Sequence, residues 1–397
     1  MEKNASEIEK TPYHSYKLKT LPKGCKYCVK GQKLVLFITG ICNRKCFYCP
    51  ISDEKKDKDV IYANEWNTEH ATGSCITDKE LDIIIQEATL CNAKGAGITG
   101  GDPLLVTERT VAAINRLKSV FGRKFHIHLY TSLENVTEQR LQDLFNAGLD
   151  EIRFHPNLED ESVWDRIKLA KLFRWDVGVE IPVIPKYEDK TKKLIDYMAE
   201  YISFLNLNEL ELSDSTGNIL EERGYYAKDE ESYAVSGSVE MGLELMRYCE
   251  EKGYRFKIHL CTVKLKDAVQ ISERIKKRSK NAASTLDLVT DEGLLIRGVI
   301  YLKETAPSFS YRKMLKEMDP AKRKELTDKL NMLQEELVKK YNLKKDAIIV
   351  DDYKLRLLMS HKKVKKLAER LKASGLVPAI VEEYPTKDAL EMDIEFL

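Results

Sequence analysis

Five of the nine cysteines in this chain fall between residues 25 and 49, and three of them, Cys42, Cys46 and Cys49, share the stretch ITGICNRKCFYCP. Three and then two residues separate them. Thiolates at that spacing in one loop can wrap a small iron–sulfur cluster, whose irons are held by cysteine. Three ligands on a [4Fe-4S] cluster leave one iron open. Zinc also takes thiolates, although zinc loops more often carry CxxC pairs, and the blandest alternative is three unrelated buried cysteines. The triplet directly follows the apolar run 33–39 (KLVLFIT). It therefore sits at the C-terminal end of a strand, where barrel enzymes build their active sites.

A second pair lies upstream, in the compact knuckle Cys25-Lys-Tyr-Cys28-Val-Lys-Gly31. Two thiolates are half of a metal site. The remaining ligands must come from elsewhere, and Cys261, in the run KIHLC, is the first candidate, with His259 as the fourth. If that run is a strand, side chains alternate and these two share a face. Such a site would hold an auxiliary iron–sulfur cluster or a zinc ion; the competing reading is a pair of unligated surface thiols. Cys75, Cys91 and Cys249 read as structural, since cysteine is among the most often buried residues.

The elements that must position these groups follow from hydrophobic periodicity. Apolar runs at 33–39, 96–99, 125–131, 150–155, 176–181 and 207–212 alternate with helical patterns, the signature of successive βα units. Thr77 and Glu80 form a capping box ahead of Leu81, Ile84, Ile85 and Ala88 on one face. Thr137 caps a helix carrying Leu141, Leu144 and Phe145, which Gly148 can end in the left-handed conformation. Right-handed crossovers curl six such units toward a barrel, and fewer than eight leave it open on one side. The expectation is an α/β partial (β/α)6 barrel over 32–262, preceded by an extension at 1–31.

After residue 262 the rhythm stops. A lysine-rich helix leads to a hairpin around Asp291-Glu292-Gly293. A long helix then starts at Asp319-Pro320, with Leu326, Leu330, Leu333 and Leu337 on one stripe. A strand at 347–350, a helix at 362–373 ended by Gly375, and a strand at 377–381 complete an expected α+β domain over 263–397.

Composition bounds the remaining choices. The chain of 397 residues is 43% apolar and 32% charged, with 65 basic and 64 acidic side chains for a net charge of +1. No global field draws in nucleic acid or an anionic membrane. No apolar run reaches the ~18 residues of a membrane span, and the start, MEKNASEIEK, has no signal-peptide core. The expectation is a cytoplasmic protein with reduced thiols and no membrane association.

On these residues the chain resembles the radical S-adenosylmethionine (SAM) superfamily, through CxxxCxxC with the aromatic Tyr48 before the last cysteine. The likeness is nearest to an archaeal-type branch related to pyruvate formate-lyase activating enzymes, over residues 20 to about 270. ITGGDP, with Gly100, Gly101, Asp102 and Pro103 at the end of the second strand, looks like the family's GGEP motif, whose backbone binds the SAM amino group. Asp102 stands where glutamate is usual and keeps the carboxylate; on its own GGDP is a turn. The resemblance implies a partial (β/α)6 barrel whose unique iron binds SAM through its amino and carboxylate groups. One electron from a donor such as ferredoxin or flavodoxin then gives methionine and a 5′-deoxyadenosyl radical that takes hydrogen from a substrate. It also implies SAM contacts from strand-end residues: Ser132, Glu180, Glu211 and Ser213, each of which could equally be a helix cap.

The substrate is less legible. From 264 to 280 the chain carries seven basic and two acidic residues, a phosphate-tracking face for RNA or an ordinary solvated one. Three readings compete: modification of tRNA or another macromolecule, activation of a partner protein through a glycyl radical, and a non-catalytic iron–sulfur electron carrier. The C-terminal domain favours the first, because the activating enzymes resembled here are little more than the barrel. The GGDP turn and a cluster with an open iron disfavour the third.

Overall fold

Apolar runs separated by amphipathic helices produce a sheet of parallel strands, and the computed structural model contains seven of them; it describes residues 7–69, 73 and 75–397. They are β1 (Lys33–Phe37), β2 (Gly95–Thr99), β3 (His126–Thr131), β4 (Glu151–Phe154), β5 (Asp176–Val183), β6 (Phe204–Glu209) and β7 (Lys257–Cys261). They pair in chain order, and the sheet is open at both ends rather than closed. An antiparallel strand, Tyr16–Leu18, covers the edge of β7, and a short hairpin, Tyr62–Ala63 with Trp66–Asn67, covers β1. The first six residues of the chain lie outside the described part.

Two strand expectations are corrected. The sixth strand runs over Phe204–Glu209, three residues earlier than 207–212, because FLNLNE and LNELEL alternate equally well. The run KIHLC is a seventh parallel strand beside it, Asn206 opposite His259 and Asn208 opposite Cys261. The helices agree closely. Thr77 and Glu80 form the full capping box on Asp78–Leu90, and Gly148 ends Glu138–Ala147 with φ 99°.

Barrel interiors are usually filled by branched apolar side chains. Here the inner face is polar: Lys33, His126, His128, Glu151, Arg153, Asn206 and His259 are all buried. Residues 7–31 are not a separate extension but part of this barrel. The short helix α1 (Lys23–Cys28) packs under it, its Gly24 amide donating to the Glu151 carboxylate at 2.9 Å. A Cβ on Gly24 would lie 2.3 Å from an Arg153 nitrogen, so only glycine permits that approach.

The chain divides into two compact units at Arg274–Ile275, twelve residues beyond the expected boundary at 262. The second unit is an antiparallel sheet in the order Ile348–Asp351, Arg356–Met359, Leu295–Tyr301, Val377–Glu383, Glu391–Phe396. The expected hairpin is present, Leu288 opposite Ile296, and Gly293 adopts φ 88°. The helix Pro320–Lys340 begins at Asp319, whose carboxylate accepts from Ala321 and Lys322, and buries Leu326, Leu330 and Leu337. Two strands were not legible, Arg356–Met359 and the acidic, mostly exposed Glu391–Phe396.

Candidate functional site

A cavity of about 590 Å³ opens at the C-terminal ends of the strands. Cys42, Cys46 and Cys49 line it together with Tyr48, Gly100, Gly101, Ser132, Glu180 and Glu211. Three predicted residues are elsewhere. Asp102 and Pro103 are buried behind the wall. Ser213 is outside the lining; its hydroxyl meets those of Ser215 and Thr216 at 3.1 and 2.7 Å, holding a turn before the helix Gly217–Glu222.

The cysteine loop is fixed from several directions by residues the sequence did not single out. Asn43 donates to Asn135 at 3.1 Å, Arg44 donates to the His155 carbonyl, and Ser215 donates to the Ile51 carbonyl at 2.8 Å. Phe47 stacks on Tyr225 and lies under the Arg223 guanidinium, 4.2 Å from the ring centre. The Tyr48 hydroxyl meets His155 Nε2 at 3.2 Å. Behind the loop, buried Arg109 grips Asp59 at 2.6 and 2.8 Å and the Ile38 carbonyl at 2.9 Å. The Arg109 hydrogen bonds pull the Asp59 carboxyl down to about 2.

The GGDP turn is read differently once its partners are visible. Gly100 has φ 141°, and a Cβ on Gly100 or Gly101 would lie 2.2 or 2.1 Å from the carbonyl oxygen of Thr39 or Ile41. The turn is therefore pressed against the strand that carries the cysteine loop, and only glycine fits. The Asp102 carboxylate accepts from Thr131 and Ser132 hydroxyls at 2.6 Å each, from Asn135 at 2.8 Å and from the Leu104 amide at 3.0 Å. With four donors and no exposure, it has no valence left for a cofactor. Asp102 thus ties the turn after β2 to the end of β3. Asp102→Ala strands four buried donors, each worth about 1–3 kcal/mol when unsatisfied. We expect a loss of about 3–5 kcal/mol, read as a lower urea midpoint.

Glu180 faces the cavity from β5. Arg153 reaches it at 2.7 Å, Asn206 at 2.8 Å and Asn208 at 3.0 Å. Burial pushes its carboxyl up, but the guanidinium and both amides outweigh that and hold it below the usual range. It is an anion with one oxygen carrying a single partner. Glu211 lies past the end of β6, not within it, and pairs with Lys266 at 3.0 Å. Burial lowers His155 to about 4, so its ring is neutral, its Nδ1–H donating to the Glu180 carbonyl 2.9 Å away.

The residues expected at a second metal site are not drawn around a single ion. Cys25 is buried inside the barrel, its sulfur 3.3 Å from the Asn206 amide and 3.7 Å from Arg153. His259 Nε2 meets the Ser15 hydroxyl at 3.1 Å, and Cys261 packs with Val29 and Leu265. Burial pushes the Cys25 thiol well up, that of Cys28 up, and that of Cys261 to about 12. Among the described residues no three Cys, His, Asp or Glu converge as a single ion requires. For Cys25, Cys28, Cys261 and His259 this removes the zinc geometry, whose ligands must all lie within about 2.3 Å of one metal. An iron–sulfur cluster asks for less convergence, since each thiolate binds a different iron, and that holds for Cys42, Cys46 and Cys49 as it does for Cys25, Cys28 and Cys261. The half-buried place of Cys42, Cys46 and Cys49 on one loop, with the Arg44 amide donating to the Cys42 sulfur at 3.4 Å, suits that group.

The basic run also changes character. Lys266 is committed to Glu211, and Arg274 pairs with Glu65. Two of its seven basic side chains are thus held by carboxylates of the first unit.

Comparison with known proteins gives three findings. The model of the Radical SAM superfamily matches residues 36–175. A protein of Methanocaldococcus jannaschii, provisionally named a glycyl-radical enzyme activating enzyme, is 40% identical over 98% of this chain and 96% of its own length. Among solved structures, the radical SAM methyltransferase TsrM of Kitasatospora setae aligns with TM-score 0.35 and 14% identity, over 50% of this chain and 40% of that one. Coproporphyrinogen III oxidase of Escherichia coli aligns with TM-score 0.34 and 11% identity, over 62% and 60%. The chain thus spans less than two thirds of either solved protein. No helix among the described residues is long and apolar enough to cross a membrane.

Proposed function

Because the chain belongs to the radical SAM superfamily, an enzyme family that works with a [4Fe-4S] cluster and SAM, we propose that it takes a hydrogen atom from a substrate group admitted to the cavity at the strand ends. When bound, the cluster and SAM supply a 5′-deoxyadenosyl radical after one-electron reduction. Cys42, Cys46 and Cys49 would hold the cluster, and the Gly100–Gly101 backbone and the Glu180 carboxylate would orient SAM. The polar wall, together with the neutral His155 and the Tyr48 hydroxyl, would position the substrate and limit water. One observation carries the reading: the three cysteines and the glycine turn line a single cavity.

Cluster-loaded protein incubated anaerobically with SAM and dithionite should release 5′-deoxyadenosine and methionine in equal amounts. An intact cluster with no nucleoside would sink the proposal. The name of the M. jannaschii relative favours a narrower second reading, in which the hydrogen comes from a glycine of a partner protein. That relative aligns over 98% of this chain and 96% of its own length, so the match includes the C-terminal unit. Protein, RNA and small-molecule fractions of the source cell, added separately, should differ in how far they stimulate nucleoside release. A persistent glycyl signal in electron paramagnetic resonance, arising only with the protein fraction, would decide for the second reading.

A further inference from the structure

The cavity does not end at the cysteine loop. It continues down the barrel to α1, where Cys28 lines it beside Lys33 and His128, in the same space as Cys42, Cys46 and Cys49. Cys28 is the last residue of α1 and sits where the barrel is closed from below. The neighbouring thiol, Cys25, is turned away into the contacts with Asn206 and Arg153. The floor around Cys28 is prepared for a polar guest. His128 is 1% exposed and its Nδ1 has no hydrogen-bond partner, a cost that a native structure does not usually leave unmet.

We propose that the Cys28 thiol is a hydrogen-atom donor to carbon radicals formed in this cavity. This role rests on the SAM-cleaving reading and concerns the fate of the radicals that cleavage produces. In the step, the S–H bond of Cys28 breaks homolytically and a new C–H bond forms on the carbon radical, leaving a Cys28 thiyl. One electron and one proton return the thiyl to the thiol; the electron comes from the same iron–sulfur or flavin carrier that reduces the cluster. Only a protonated sulfur can do this, and burial keeps Cys28 in the thiol form. Among the exchangeable hydrogens of the cavity wall, those of amides and aliphatic hydroxyls are bound more strongly than hydrogen on carbon, whereas the S–H of Cys28 and the phenolic O–H of Tyr48 and Tyr130 are weaker, so the Cys28 variant below separates the thiol from the phenols. A substrate radical made in the upper cavity would therefore be completed from below within the same protein, which suits a reaction that ends on a closed-shell product.

The test needs no substrate. Cluster-loaded enzyme is turned over in deuterium oxide with SAM and dithionite, free of added thiol. In the wild type, most of the 5′-deoxyadenosine should be one mass unit heavier, from a deuterated Cys28. In Cys28→Ser the nucleoside that forms should carry the label at background; in Cys25→Ala the label should persist. Separately, SAM added to the loaded, unreduced enzyme should slow alkylation of Cys28 by iodoacetamide at least about fivefold, since thiol reactivity follows access, and leave exposed Cys75 unchanged. Unlabelled nucleoside from the wild type, label that persists in Cys28→Ser, or alkylation of Cys28 indifferent to SAM would each overturn the proposal. No nucleoside at all would instead overturn SAM cleavage itself, and this step with it.

Discussion

Cys46→Ala should lose the iron–sulfur chromophore and fall to background in SAM cleavage, while the protein without its cluster remains folded. Cys42→Ala and Cys49→Ala should do the same. The loss is total because three thiolates are the whole protein share of the cluster, and two cannot hold four irons with one left open. The fold survives because the loop does not depend on the sulfurs. Arg44 on the His155 carbonyl, Asn43 on Asn135, Ser215 on the Ile51 carbonyl and the Phe47–Tyr225 stack hold it independently. The cysteines are themselves only half-buried, so removing one sulfur opens little cavity, a change worth less than about 1 kcal/mol. Iron content, the visible spectrum and the urea midpoint of apo wild type and apo variants check both halves. A variant that keeps a four-iron cluster and full activity would refute the assignment.

The second large effect is on stability in mild acid. His126, His128 and His259 are buried and His155 is half-buried. Burial lowers all four, His155 and His259 to about 4, His126 and His128 further, aided by Lys33 and Arg153. An unfolded histidine titrates near 6.5. Between pH 6.5 and 4 the unfolded chain therefore binds protons that the folded barrel refuses, and stability falls as pH falls. Each ring contributes a little under 2 kcal/mol between pH 7 and 5, and the four together roughly 7 kcal/mol, which rivals the whole stability of many domains. Lys33, lowered to about 7 by burial, acts in the same direction at higher pH, adding stability as pH rises from about 7 to 10. Urea unfolding of the apo protein should show a steep loss from pH 7 to 5, well above the carboxylate range. His128→Gln cannot titrate and should flatten that slope by about one quarter. A midpoint constant from pH 7 to 5 would exclude the mechanism.

Much of this was readable beforehand because it depends on local chemistry. The cysteine spacing, the Thr77–Glu80 box, Gly148 and the Asp319–Pro320 start are each set by a few neighbouring residues, and each stands where the residues put it. What was missed depends on partners distant in sequence. Nothing near Asp102 says that Thr131, Ser132 and Asn135 will fill its carboxylate. KIHLC was considered as a strand only for its two candidate ligands, and its place beside the sixth strand depends on that distant partner. The CxxC pair was read as half of a metal site, or else as surface thiols, because cysteine spacing carries no information about depth. Gly24 was the overlooked signal, since a glycine preceding the pair is what lets the helix enter beneath Arg153 and Glu151.

The helix below the barrel also governs traffic. Because α1 closes the lower end, the chamber is a cul-de-sac, and whatever settles on its floor arrives before, and departs after, anything lodged nearer the rim. Occupants must queue. On the proposed reading, a group resting against Cys28 and His128 would have to be delivered before the nucleotide seals it in, and the spent nucleoside would clear before the finished product could leave. Product inhibition by 5′-deoxyadenosine is the kinetic signature such an arrangement imposes.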